Sequence, residues 1–221
     1  MTKNIIIIVL CSIVLSFTIN EFGYLFMSIP SFIVLAYNLC DLILKIINKN
    51  HQPKRELNKN FQSIFLIGLI PVFLSFKDFE DTIGGYNLFW KLVFLSLIFT
   101  VLFTVILSRY FNFNNDFRFY NILAICICFF LFIPNLGILI NTHISNEIER
   151  KETIIVNYKT ETKKTKGGYS YFLFIKTKYD SNERLDVKKE LYNAIKDDNE
   201  IILTLRKGIL DYDYITKFDV K

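Results

Sequence analysis

The chain has 221 residues, of which 52% are hydrophobic, a formal net charge of +5 and a mean hydropathy of +0.34. Residues 1–141 contain the long apolar runs, and residues 142–221 are rich in charged residues. This division excludes a single soluble domain and predicts two parts in different solvents. The positive charge does not indicate nucleic-acid binding. Its surplus comes largely from one short basic stretch between apolar runs, with Lys45, Lys49, Lys54, Arg55 and Lys59.

Five apolar runs predict about five transmembrane helices, at residues 4–20, 22–47, 61–76, 88–110 and 119–141. The first run follows Lys3 like the core of a signal peptide, but no small-x-small cleavage motif follows it, so we expect it to be retained. Only Asn20 and Glu21 interrupt the first two runs, which predicts a tight helical hairpin.

The loops between the runs predict the orientation. Loops 48–60 and 109–118 are basic and loop 77–87 is acidic, and they alternate along the chain. Because positive loops stay in the cytoplasm, we expect a multi-pass protein of the cell (inner or plasma) membrane with a cytoplasmic N-terminus. Five spans then place the C-terminal domain outside, whereas the loss of one short span would place it inside.

Residues 152–221 predict a small all-β domain, joined to the helices by 142–151, a linker or an extension of the fifth helix. Apolar and polar residues alternate with the period of half-buried strands at residues 152–159, 169–178, 200–206 and 211–220. In the last segment, this alternation places on one face the side chains of Tyr212, Tyr214, Thr216 and Phe218.

One short helix is predicted before the segment 200–206, between the third and fourth strands when a short strand after residue 178 is counted as the third. Val187, Leu191 and Ile195 are spaced four apart, as on one face of a helix over 188–196. The resulting order of strand, strand, short strand, helix, strand, strand fits an OB-type barrel, an SH3-like barrel or a curved open sheet.

In layout the chain resembles bacterial proteins of the NfeD kind, in which a few spans carry a C-terminal OB domain. The resemblance covers layout only, since Glu200 stands where a turn glycine is typical, and no site residue is carried over. A composition low in Gly and Pro and rich in Asn, Lys, Ile and Phe predicts a bacterial source with an AT-rich genome.

Nothing in the sequence predicts catalysis, a cofactor or a metal site. His51 and His143 are expected on opposite sides of the membrane, and no paired-cysteine ligand spacing or His-Glu-x-x-His pattern occurs. There is also no Gly-x-Ser-x-Gly elbow and no phosphate-binding glycine loop. We therefore predict a protein that is not an enzyme, with no catalytic, cofactor-binding or metal-binding residues.

One pair of charged residues stands in an apolar run. Asp41 precedes Lys45 by four positions, which places both on one helix face as an intramembrane polar pair. Ionisable groups at membrane depth are costly, so a proton or cation site is the functional interpretation. An ion pair near the cytoplasmic end of the helix is the plainer one.

The C-terminal part offers two candidate contact surfaces. The predicted basic loop 159–168 includes Lys163, Lys164 and Lys166, which suit lipid headgroups or a partner, or simply a solvated hairpin tip. The second surface is aromatic and covers both faces of one strand, so its second face should also pack on something. Its residues are Tyr171, Phe172 and Phe174.

These observations predict a non-enzymatic integral membrane protein that presents a small β domain for protein, peptide or lipid interaction, in an accessory, envelope-stress or immunity-type role. A transporter or channel component with a regulatory β domain is one alternative, and a ligand-sensing membrane effector is another. The expected partners are the lipid bilayer and either another protein or further copies of this chain, with no nucleic acid.

Overall fold

The structure, a computed structural model, forms two compact units, Met1–Phe73 with Phe89–Leu136 and Leu74–Leu88 with Gly137–Lys221. The predicted combination of a helical part and a C-terminal β part is confirmed, since long apolar helices precede an antiparallel sheet. The residues that the structure describes are 1–47, 55–57, 59–113, 117–145, 147–164, 168–195 and 200–220.

The apolar helices of the described chain are α1 (Thr2–Thr18), α2 (Leu25–Ile47), α3 (Phe65–Asp81), α4 (Gly85–Tyr110) and α5 (Arg118–His143). Helices α2, α4 and α5 are long and apolar enough to cross a membrane, as is α3 together with the 3-10 turn Lys59–Ile64 before it. Helix α1 is apolar but has only 17 residues. A 3-10 turn, Phe22–Tyr24, follows the predicted break after α1.

Large rings and small residues pack the helices of the first unit. The Phe32 ring of α2 is 1% exposed and lies 6.4 Å from the ring of Trp90 on α4 and 5.7 Å from that of Phe130 on α5. Helices α3 and α5 approach closely at Gly68, where a Cβ would lie 2.6 Å from the carbonyl oxygen of Cys128. Close helix approach over small residues is typical of membrane-type bundles.

A two-residue parallel ladder connects the two basic loops of the first unit. Strand β1 (Arg55–Glu56) pairs with β2 (Phe111–Asn112), with Arg55 opposite Phe111. The loop before α3 and the loop before α5 therefore meet at one end of the helices.

The second unit contains a five-stranded antiparallel sheet, formed by the strands β3 (Arg150–Lys163), β4 (Tyr169–Ile175), β5 (Glu183–Val187), β6 (Glu200–Lys207) and β7 (Asp213–Val220). The strand order in the sheet is β5-β4-β3-β6-β7. Among the described residues no ladder joins the edge strands β5 and β7, so the sheet is a half-barrel. Helix α6 (Lys189–Ala194) follows β5, the third strand of the sheet along the chain, as the sequence predicted.

Two bulges decide which side chains of the sheet face the core. In β3 the register against β4 shifts at Asn157, so that Val156 faces the core before the bulge and Lys159 after it. In β7 the register against β6 shifts at Thr216, so that Ile215 and Phe218 both pack on the core. The predicted shared face of Tyr212, Tyr214, Thr216 and Phe218 is therefore wrong, because one extra residue reverses the alternation.

Strand β3 is longer than predicted. It runs to Lys163, so most of the predicted basic loop 159–168 is strand, and only its last part connects β3 to β4. The alternation of apolar residues ends near Tyr158, but the backbone ladder continues as far as the pair Lys163 and Tyr169.

The turn between α3 and α4 completes the core of the second unit. Ile83 is 5% exposed and packs in the apolar cluster of the sheet. Its N–H donates to the carbonyl of Asp213 on β7 over 2.8 Å, and the N–H of Gly84 donates to the carboxylate of Glu183 on β5. The turn therefore contacts both edge strands of the half-barrel.

This turn is shorter than the predicted loop 77–87. Helix α3 continues to Asp81, and Leu88 of α4 already donates its N–H to the carbonyl of Gly84 over 2.9 Å. Gly84 has φ +73°, and a Cβ there would lie 2.3 Å from a ring carbon of Tyr179. Only glycine readily adopts this positive φ and also leaves room for the Tyr179 ring. Glycine at this position therefore allows three residues to join the two helices.

Replacing Ile83 by alanine should lower the free energy of unfolding of the second unit by about 3 kcal/mol, because it leaves a cavity in the core. Ile209→Ala is the matched control, since Ile209 lies in the same unit and is 56% exposed. That variant should change stability by less than about 0.5 kcal/mol. Denaturant unfolding followed by the near-UV tyrosine signal measures both. Equal losses in the two variants would show that Ile83 is not a core residue.

Candidate functional site

A buried ion cluster connects α2 and α5 in the first unit. The Asp41 carboxylate, 8% exposed, lies 2.5 Å from the ammonium of Lys45 on the same helix. The guanidinium of Arg118, at the start of α5, donates to the other carboxylate oxygen through Nε at 2.9 Å and Nη2 at 2.6 Å. Two positive charges thus surround one carboxylate.

Asn4 brings α1 into the same cluster. Its side-chain amide donates to the Asp41 carboxylate over 2.8 Å and to the carbonyl of Asn38 over 3.3 Å. Its amide oxygen accepts a hydrogen bond from Lys45 over 3.2 Å. With Arg118 on one oxygen and Lys45 and Asn4 on the other, the carboxylate has four donors, about as many as its lone pairs accommodate.

The structure brings the predicted pair Asp41 and Lys45 together, and it adds two residues that sequence reasoning missed. Arg118 had been counted as a loop charge, and Asn4 as part of an apolar run. Each is a polar residue at the end of an apolar run, but only the packing of three helices shows that they meet at Asp41. Four donors on one carboxylate favour an ion-pair role over a site that exchanges a cation.

The second candidate site is a row of aromatic and cationic side chains on the outer face of the sheet. The Tyr158 ring stacks on that of Phe174 with centroids 4.3 Å apart, and the Arg184 guanidinium lies 4.7 Å from the centre of the Phe172 ring. We call Tyr158, Phe172, Phe174 and Arg184 the outer aromatic row. Stacked rings with a guanidinium are a composition typical of binding surfaces.

The remaining predicted contact residues do not lie in this row. Tyr171 faces the core side of the sheet, where its ring lies 4.9 Å from that of Tyr192. Lys163 and Lys164 are exposed at the end of β3, while Lys166 lies outside the described residues.

Lys159 has a structural role that the sequence did not reveal. Its ammonium donates to the carbonyls of Tyr192 and Ile195 over 3.1 and 2.6 Å and lies over the Tyr192 ring. A cation at these carbonyls stabilises the C-terminal end of α6. Lys159 therefore belongs to the fold rather than to a basic contact surface.

Polar side chains connect the helix ends of the second unit to the residues just before β7. Asn141 of α5 donates to the carbonyl of Tyr212 over 3.1 Å and accepts from the N–H of Leu210 over 3.0 Å. The Tyr212 hydroxyl donates to Asn87 of α4 over 2.6 Å, and its ring stacks on that of Tyr179 with centroids 4.9 Å apart. These contacts, together with Ile83, fix one end of β7.

Burial governs the ionisation of Glu183, which accepts the N–H of Gly84. Its burial and the nearby Asp180 raise the pKa of this carboxyl above 4.5. The hydroxyl of Thr177, 2.6 Å away, and the Gly84 amide donate to it and act in the opposite direction. Burial is the larger effect, so folding shifts this carboxyl towards its protonated form.

In the described part of the chain, no group of three or more His, Cys, Asp and Glu side chains is placed to hold a metal ion. Comparison with protein-family models, with curated proteins and with solved structures found no match for this chain.

Replacing Asp41 by asparagine should lower the free energy of unfolding by about 3–5 kcal/mol, because it leaves Arg118, whose side chain is only 20% exposed, without its counter-charge. Lys45→Gln is the matched control. The Lys45 side chain is 43% exposed, so its loss should cost less than about 1 kcal/mol. Denaturant unfolding of the two purified variants gives both values, and a small loss in the Asp41 variant would contradict the central role of the carboxylate.

The raised pKa of Glu183 predicts a pH dependence of stability. For this acid the contribution to stability is complete below pH 4.5, the ordinary pKa, and is lost as the pH rises through the raised pKa. Glu183→Gln has no such titration, so the difference in unfolding free energy between variant and wild type should shift in favour of the variant as pH rises above 4.5.

Thr177→Val is the counterpart of this variant, because it removes a donor to the ionised carboxylate. Its loss of stability with rising pH should be steeper than that of wild type. Thermal unfolding across the acid-to-neutral range measures all three proteins. A wild-type curve parallel to that of Glu183→Gln would show that the carboxyl does not titrate differently on folding.

Proposed function

We propose that the chain is a multi-pass integral membrane protein, not an enzyme, that presents its half-barrel to a protein partner. Four helices have the length and composition to cross a bilayer, and α1 would be a fifth, shorter span. The proposal includes five membrane spans, an OB- or SH3-like half-barrel and a location in the cell membrane.

The observation that carries the proposal is the position of Ile83. It lies in the turn between α3 and α4, and its side chain is in the core of the half-barrel. If both helices cross the bilayer, the half-barrel lies on the side where they meet. This argument does not depend on whether α1 crosses.

The charges at the helix ends support an orientation for this arrangement. Lys45, Arg109 and Arg118 lie at the end of α2, the end of α4 and the start of α5, whereas α3 ends with Asp78 and Asp81. Because basic residues are in excess in cytoplasmic loops, the ends of α2 and α4 and the start of α5 are expected in the cytoplasm. The N-terminus would then be cytoplasmic and the half-barrel outside.

The outer aromatic row supports a protein as the partner. Tyr and Arg are enriched among the residues that contribute most to protein–protein binding. Tyr158 is 40% exposed, so its ring is accessible while it stacks on Phe174. An accessory, envelope-stress or immunity-type role suits such a surface. Turnover of a substrate by the purified protein would contradict the non-enzymatic part of the proposal.

A cysteine at Ser181 should react with a membrane-impermeant thiol reagent on intact cells. Ser181 is exposed, and its carbonyl accepts the hydrogen bond from Asn157, so replacing the side chain keeps that contact. Native thiols give little background, because three of the four are buried and all lie in α1, α2 and α5. Labelling is measured by mass spectrometry before and after lysis.

Arg55→Cys is the matched control for the opposite side and should react only after lysis. If the cysteine at position 181 were protected and the one at position 55 labelled, the orientation would be reversed. If both were labelled on intact cells, the helices between them would not cross as proposed.

A further inference from the structure

Basic side chains gather at one end of the first unit. Arg118 and Lys45 are brought together there by Asp41, and Asn4 of the same cluster follows the exposed Lys3. The start of α1, the end of α2 and the start of α5 therefore share this end. We call it the basic end.

The ladder between β1 and β2 adds two more cations to the basic end. It places Arg55 opposite Phe111, and Arg109 lies two residues before Phe111 at the end of α4. Both arginines are exposed. Arg55 and Arg109 take no part in the ion cluster around Asp41, so they contribute charge to the surface without supporting helix packing there.

The sequence of the basic end has a surplus of positive charge, since residues 45–59 include five basic residues and one acidic residue, Glu56. Within the cluster the Asp41 carboxylate lies between the two cations Lys45 and Arg118. Lys3, Arg55 and Arg109 add to this charge. A surface of this sign attracts anions over about a Debye length, which is about 10 Å at 0.1 M salt.

Exposed aromatic residues stand next to two of these cations in the sequence. Tyr110 is 63% exposed beside Arg109, and Phe119 and Tyr120 are 49% and 55% exposed just after Arg118. In soluble proteins rings at such positions are usually covered, whereas at the level of lipid headgroups amphipathic rings and basic side chains occur together. The rings and cations therefore fit one surface, the headgroup region of a bilayer.

We propose that the basic end binds the phosphate of anionic phospholipid headgroups in the leaflet that it faces, with Arg55 and Arg109 as its exposed contacts. This inference rests on the proposed function, because it requires the helices to lie in a bilayer. It goes further by naming the lipid class, which the length and hydropathy of the helices do not specify.

The test uses the full chain purified in detergent and exchanged into mixed micelles of phosphatidylcholine and phosphatidylglycerol in equal amounts. Retained lipids are counted by mass spectrometry as the ratio of phosphatidylglycerol to phosphatidylcholine. The wild type should be enriched in phosphatidylglycerol. Each arginine near an anionic surface is worth about a fivefold change in binding, so Arg55→Gln with Arg109→Gln should reduce the enrichment about 25-fold or abolish it.

Lys163→Gln with Lys164→Gln is the matched control, since it removes the same charge from exposed residues of the second unit. This variant should keep the wild-type enrichment. Raising the salt concentration should weaken the enrichment in the wild type and in this control variant. Equal enrichment in all three proteins, or an equal loss in both double variants, would overturn the inference and leave the proposed function intact. Failure of the wild type to retain either lipid would overturn both.

Discussion

A half-barrel has two unpaired edge strands, and in this protein one short turn reaches both of them. The turn places Ile83 in the apolar core, hydrogen-bonds its backbone to β7 and gives the N–H of Gly84 to Glu183 on β5. An uncovered pair of edges would expose backbone donors and acceptors together with apolar side chains, which favours aggregation. The positions of Tyr179, Tyr212 and Asn141 follow from this arrangement, because each packs on or bonds to the segment that holds the turn.

Electrostatics has a different role in each unit. In the helical unit one carboxylate collects donors from three helices, so that Asn4, Asp41 and Arg118 fix how α1, α2 and α5 meet. In the second unit Lys159 and Glu183 are ordinary surface residue types used inside the fold, one at the end of α6 and one at a backbone amide. The charges left at the surface, Arg55 and Arg109 among them, are the ones available for lipid.

Local pattern was sufficient to predict the elements but not their contacts. Alternation located β6, and four-residue spacing located α6, because both patterns depend on neighbours along the chain. The bulges at Asn157 and Thr216 were not predictable, since a bulge is a property of two strands and has no period of its own. Asp78 and Asp81 suggested a loop because they are charged, yet they form the last turn of α3. The partners of Asp41 and the burial of Ile83 depend on segments far apart in sequence, which a single sequence does not relate.

The contribution of Ile83 has a consequence for how such a chain can change over generations. A recombination event that moved the C-terminal strands alone to another set of helices would leave their core without the side chain of Ile83 and without the close contact at Gly84. It would also leave Glu183 without its backbone donor. The strands and the turn between α3 and α4 therefore form one structural piece, and the boundary between the two units does not coincide with the point where the polypeptide leaves its last helix.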